Sequence, residues 1–174
     1  SCVSCKPIFN YFFFGLHYLI IFALMQRLNL PEYTFKIKKV DGEKKQIFDA
    51  IRKKYVVLQP EEWVRQNFAQ FLIQEKGFPA SLMVFEYSLR YNSLSKRGDI
   101  VIFGKDGQAK LIVECKAPSI KVKQEVFDQA AQYNMSLKLE YMIITNGMDH
   151  YCCKIDHLNN AYTFLNEIPF FQEL

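Results

Sequence analysis

"RGDIVIFGKDGQAKLIVECKAPS", residues 97–119, carries two apolar runs of strand length, a turn between them and charges at the far ends. Asp106-Gly107 is the best two-residue turn in the stretch, because Asp-Gly supplies the positive φ that tight hairpins need. If it closes a hairpin, Gly104 faces Ala109, Ile102 faces Leu111 and Asp99 faces Glu114. Directly opposed residues have Cβ atoms about 4.5–5.5 Å apart. Lys116 stands two positions beyond Glu114 and so points to the same face. One end of a sheet is thereby expected to hold two acids and a lysine.

Like charges facing each other destabilise a sheet, and a divalent cation removes that penalty. Mg²⁺ suits the donors: it takes one or two carboxylates and keeps several waters. The main-chain carbonyl of Cys115, beside Glu114, adds a further oxygen. Lys116 next to such a cation can orient a water or steady charge on a phosphate, as metal-assisted phosphodiester hydrolysis requires. On this reading, removing either acid stabilises the metal-free fold. The plainer reading is that strands end at solvent and carry charges there.

Working outward, half of the 174 residues are hydrophobic, which fits one domain with a real core. A net charge of +4 is compatible with nucleic acid without demanding it. Five cysteines, with Cys152 and Cys153 adjacent, make no even disulfide framework and point to a reducing, cytoplasmic compartment. A zinc site from Cys2, Cys5, Cys152 and His150 or His157 lacks a repeated Cys-x-x-Cys spacing. Residues 7–25 are almost continuously apolar and about long enough to cross a bilayer. They read as a membrane anchor, a buried helix, or an extension ahead of the true start. The composition shifts at Gln26, dividing the chain into an apolar segment, 1–26, and a domain, 27–174.

Within that domain, Asp41-Gly42 separates two alternating runs, a hairpin signal. Pro60 opens a helix, with Glu61 and Glu62 favoured in its first turn, and Gly77 follows its end. "SLMVFEYSLRY" alternates as a strand. After Pro118, Val122, Val126, Ala130 and Tyr133 recur on one helical face, and "YMIITNG" reads as a buried strand. The order is hairpin, helix, three strands, helix, strands, a mixed α/β domain.

Asp99, a hairpin, then Glu114-Cys115-Lys116 resembles the PD-(D/E)xK nuclease superfamily. The ordered set "PEEWVRQNFAQFLIQEKGFPASL", "RGDIVIF", "LIVECKAP", "QEVFDQAAQYN" and "YMIITNGMDHYCCKID" resembles the N-terminal domain of type I restriction enzyme R proteins, from about Leu30 to the C-terminus. The resemblance implies a restriction-endonuclease-like core, a central mixed sheet flanked by helices. It implies a DNA endonuclease dependent on Mg²⁺, with Mn²⁺ as substitute, in defence or repair. Asp99, Glu114 and Lys116 match its catalytic set. Glu62 matches the acid that completes the metal site, with Glu61 as fallback. Gln129 and Tyr133 match an accessory Gln-x-x-x-Tyr element. Gly98 stands where the motif has proline. Lys96, Arg97, Lys121 and Lys123 flank the hairpin and are expected on the DNA backbone. The partners implied are DNA and other restriction-system subunits, with a membrane only if residues 7–25 are an anchor. The R proteins continue into helicase motors, whereas this sequence ends at Leu174 without a phosphate-binding glycine loop. It is then an independent nuclease, a recruited component or a fragment. The alternative on the same fold is a non-catalytic nucleic-acid-binding or assembly module.

Overall fold

The computed structural model describes residues 26–174 apart from 41, 43, 92, 93, 126, 129, 131–133 and 135–137. The apolar segment 7–25 lies outside the described residues. Among those described, no helix is long and apolar enough to cross a membrane.

The chain opens with strands β1 (Ile37–Lys39), β2 (Lys45–Asp49) and β3 (Lys54–Val57) in a small antiparallel sheet of order β1-β2-β3. β1 and β2 pair antiparallel as the hairpin expected there, with Lys39 facing Lys45, while residues 41 and 43 of the connection lie outside the described residues. β3 is an addition to the sequence reading: "KYVV" is too short to show a period. Helix α1 (Pro60–Gln74) begins with proline in its first turn and acids at Glu61 and Glu62. A short 3-10 turn, Ala80–Leu82, leads into a second sheet. Its strands are β4 (Met83–Tyr91), β5 (Leu94–Phe103), β6 (Ala109–Cys115), β7 (Tyr141–Thr145), β8 (His150–Asp156) and β9 (Ala161–Leu165), paired in sequence order. Among the described strands β6 and β7 pair in parallel and the others antiparallel, so the sheet is mixed. A parallel pair needs a crossover. In the intervening segment the described residues Gln124, Glu125, Phe127, Asp128, Ala130 and Asn134 are helical, as expected.

The sheet is buried on both faces. On one, Trp63, Val64, Phe68 and Leu72 of α1 pack with Ile100, Ile102, Leu111, Val113, Cys115 and Ile143. On the other, Phe127 and Leu139 pack with Val101, Ile112, Met142, Ile144 and Cys153. Burial from both sides explains the uninterrupted apolar runs of β6 and β7. Phe68 is fully buried, so Phe68→Ala is expected to cost about 3–5 kcal/mol.

Cys152 packs into the first core and Cys153 into the second, so the adjacent thiols are on opposite faces. Burial pushes both thiols up to about 12, and Cys2 and Cys5 of the zinc reading lie outside the described residues. The ring of His150 is engaged at both nitrogens, by Thr145 Oγ1 at 2.7 Å and the Asn29 carbonyl at 3.0 Å. His150 thus ties the segment at Asn29 to the sheet, while Cys152 packs in the core beneath α1.

Candidate active site

The β5–β6 turn differs from the two-residue turn expected. Gly107 donates to the Gly104 carbonyl and Gly104 donates to Gln108, with Gly107 at φ +76°. This is a three-residue loop with its last residue left-handed, which leaves Phe103, not Gly104, facing Ala109. A register shift follows between Ile102 and Phe103, where Lys110 is the extra residue. The bulge returns the residue that the loop consumed. Ile102 thus faces Leu111, and Ile100 faces Val113, as expected from the sequence. Lys110 is held at the bulge by Glu140 at 2.8 Å and Asp106 at 3.2 Å.

One step beyond Ile100 and Val113 the two strands part, and Asp99 fills the gap. Its Oδ2 accepts the Cys115 amide at 2.7 Å, in place of a strand carbonyl. Strand amides lie in the plane of the sheet. The Asp99 carboxylate therefore lies in that plane, against the Glu114–Cys115 peptide. The N–H and C=O of one strand residue point the same way, so the Cys115 carbonyl turns toward the same gap. A Cβ at Gly98 would come 2.6 Å from Ile112 Cδ1 and 2.9 Å from Val101 Cγ2. Position 98 thus shares a face with Val101 rather than Ile100, and the alternation of β5 slips at Asp99. The slip corrects the expectation that simple alternation sets the side on which Asp99 lies. It also accounts for glycine at position 98. Opposite the slip, Glu86 of β4 adopts φ +54°, a strained value for a residue with a side chain.

The slip brings Asp99 to a buried network of arginines and acids. Arg65 of α1 donates to Asp99 Oδ1 at 2.8 Å and to Glu62 Oε2 at 2.5 Å. Glu62 Oε1 accepts from Arg52 at 2.7 Å and Gln66 at 2.8 Å. Arg52, just after β2, also donates to Glu86 at 2.6 Å and to the fully buried Asp49 at 2.5 Å. Arg97 is exposed and hydrogen-bonds Glu86. Burial disfavours the Arg65 charge, but Asp99 and Glu62 outweigh it and raise its pKa. Burial likewise disfavours the Glu86 carboxylate, but Arg97 and Arg52 outweigh it and hold its pKa below the ordinary value. Burial, with the charge of Asp99, pushes the Cys115 thiol well up, so this cysteine is packing and not a nucleophile.

The arrangement changes several expectations. Asp99 meets a guanidinium and an amide, so facing carboxylates do not by themselves make the metal-free fold unstable. Glu62 stands behind Arg65, with both oxygens engaged. Glu61 is 3.5 Å from Arg65. Lys116 is half-buried and its amide donates to the Thr145 carbonyl, holding it at the carboxyl end of the parallel pair. Ligand sites of α/β sheets gather at such ends. Lys121 and Lys123 are exposed in the segment that follows. Gln129, Tyr133 and the side chain of Lys96 lie outside the described residues. Arg52, Arg65 and Glu86 were missed. Arg65 follows Glu62 by three positions in "PEEWVRQ", a helical pair visible in sequence. Glu86 was also within reach, because the β4–β5 register that pairs Phe85 with Ile100 and Tyr87 with Gly98 sets it opposite Asp99. Nothing local to Arg52 marks it.

Among the described residues, no three His, Cys, Asp or Glu side chains gather as metal ligands. A cation here would rest on two carboxylates, a main-chain oxygen and water, a set of hard oxygens that suits Mg²⁺. The Arg65 and Cys115 contacts each use one lone pair of an Asp99 oxygen, so Asp99 retains acceptor capacity. The donor chemistry therefore fits.

No curated protein matches the chain. A fragment of a putative HsdR subunit of a type I restriction enzyme from Vibrio vulnificus YJ016 is structurally similar, with 21% identity and a TM-score of 0.48. The similarity covers 67% of this chain and 24% of that one. The family model for the type I restriction enzyme R protein N terminus (HSDR_N) matches residues 60–169, from the first residue of α1 past the end of β9. That span is well over half of the chain and contains Arg65, Asp99, Glu114 and Lys116. The chain belongs to the family of type I restriction enzyme R protein N-terminal domains.

Proposed function

We propose that this domain is a divalent-metal-dependent DNA nuclease of PD-(D/E)xK type, acting with DNA and other subunits of a type I restriction system. The observation that carries this reading is the Asp99 carboxylate on the Glu114–Cys115 peptide, where β5 and β6 part. Asp99, Glu114 and the Cys115 carbonyl would hold Mg²⁺ or Mn²⁺. When bound, the cation supplies Lewis-acid polarisation of a phosphoryl oxygen and activation of water. Asp99 is held from two directions, by Arg65 and the Cys115 amide, so its position is fixed before substrate arrives. Lys116, two positions past Glu114, would supply an ammonium that orients water or balances charge growing on the phosphate. Lys121 and Lys123 offer exposed charge to the DNA backbone just past the site.

One observation favours the second reading, a non-catalytic DNA-binding or assembly module: both Asp99 oxygens already have partners within the protein. Cleavage of plasmid and branched DNA in Mg²⁺, Mn²⁺ and chelator separates the two. The nuclease reading expects metal-dependent nicking that Asp99→Asn, Glu114→Gln and Lys116→Met abolish. A folded protein that binds DNA and cleaves none of it, alone or with its partner subunits, favours the module.

A further inference from the structure

Resting on that reading, we propose that Arg65 is a resident counter-ion of Asp99 that sets how tightly the site takes its cation, and that Glu62 acts on the site through Arg65. The Arg65 side chain is 7% exposed and is held on both sides by acids. It holds Asp99 Oδ1 at 2.8 Å and Glu62 Oε2 at 2.5 Å. Any cation on Asp99 therefore shares that carboxylate with a guanidinium fixed on the helix side. Like charges a few ångströms apart, shielded from water, repel strongly. Glu62 has both oxygens committed, to Arg65, Arg52 and Gln66, so it is poorly placed as a ligand. Its charge offsets that of Arg65 and so eases cation binding indirectly. Arg52 keeps Glu62 in that role, itself anchored on Asp49 and Glu86.

The test is calorimetric titration of Mn²⁺ into the full chain without DNA, so that the readout is affinity and not turnover. Removing the guanidinium in Arg65→Gln is expected to tighten Mn²⁺ about tenfold or more, whereas Arg65→Lys, which keeps the charge, stays within about threefold of wild type. Glu62→Gln alone is expected to weaken Mn²⁺ several-fold. In the Arg65→Gln background the same change is expected to have a clearly smaller effect, because only the direct attraction of the Glu62 charge remains once the guanidinium it holds is gone. Apolar replacement of a buried ion pair is commonly tolerated, so Glu62→Leu with Arg65→Met covers the case in which Arg65→Gln does not fold. That double variant is expected to bind Mn²⁺ more tightly than wild type. Unchanged or weaker binding on loss of the guanidinium overturns the proposal. So does a Glu62→Gln loss of equal size in both backgrounds, which would make Glu62 a ligand. If Asp99→Asn binds Mn²⁺ like wild type, the metal-site reading fails first and takes this inference with it.

Discussion

Asp99→Ala tests whether this acid is a source of strain or of stability. Two interactions vanish with it. The amide of fully buried Cys115 loses its acceptor, and an unsatisfied buried amide costs about 1–3 kcal/mol. Arg65 loses one of its carboxylates at 2.8 Å, and a hydrogen bond to a charged group is worth about 1.5–3 kcal/mol. Asp99 is 19% exposed, so water relieves part of the second loss. The expected destabilisation is about 3–4 kcal/mol, or roughly 6–16 °C in melting temperature for a domain of this size. Asp99→Asn keeps a carbonyl for the Cys115 amide and is expected to lose about half as much. The assay is urea and thermal unfolding in chelator, with both variants beside wild type. Asp99→Ala melting at or above wild type would refute the reasoning and restore the picture of two carboxylates repelling each other across a hairpin.

Arg52→Met strips one guanidinium from Asp49, Glu62 and Glu86 together, and breaking a buried charge network of this kind is expected to cost about 3–5 kcal/mol in denaturant titrations. The Glu86 carboxyl is held below its ordinary value of 4.5, so its contribution is present above that pH and fades as pH falls through the lower, folded value. Glu86→Gln should therefore flatten the acid limb of a stability–pH curve, and an unchanged limb counts against the ion pairs. Gly98→Ala drives a methyl to 2.6 Å from Ile112 Cδ1 and is expected to cost about 1–3 kcal/mol by thermal melt. Lys121→Gln with Lys123→Gln should weaken DNA binding evenly across sequences and lower its salt slope by about 2 units in a fluorescence titration over a range of salt.

The architecture was legible because local signals agreed with it. α1 announced itself by Pro60, the acids after it and the spacing of Val64, Phe68 and Leu72. β6 and β7 showed as apolar runs because helices cover both faces of the sheet. Asp99 reaches the Cys115 amide although the loop is one residue longer than expected, since that longer loop and the bulge at Lys110 offset each other. That compensation is a property of the folded hairpin, and no residue in it advertises the bulge. The arginines were harder to see. Arg52, Arg65 and Arg97 converge from the small sheet, the helix and the large sheet, and such convergence has no periodicity to detect.

Arg52 also bears on where this unit can be cut. The family match begins at Pro60, yet the guanidinium shared by Glu62 and Glu86 comes from the turn before β3. A fragment trimmed to the matched span would keep Asp99, Glu114 and Lys116 but remove the guanidinium that hydrogen-bonds both glutamates, leaving Glu62 to Arg65, and Glu86 to Arg97 and the more distant Arg65. The small N-terminal sheet is thus a prosthesis for the larger one. Transplanting the domain, or fusing it to another protein, requires carrying Asp49 and Arg52 along with it.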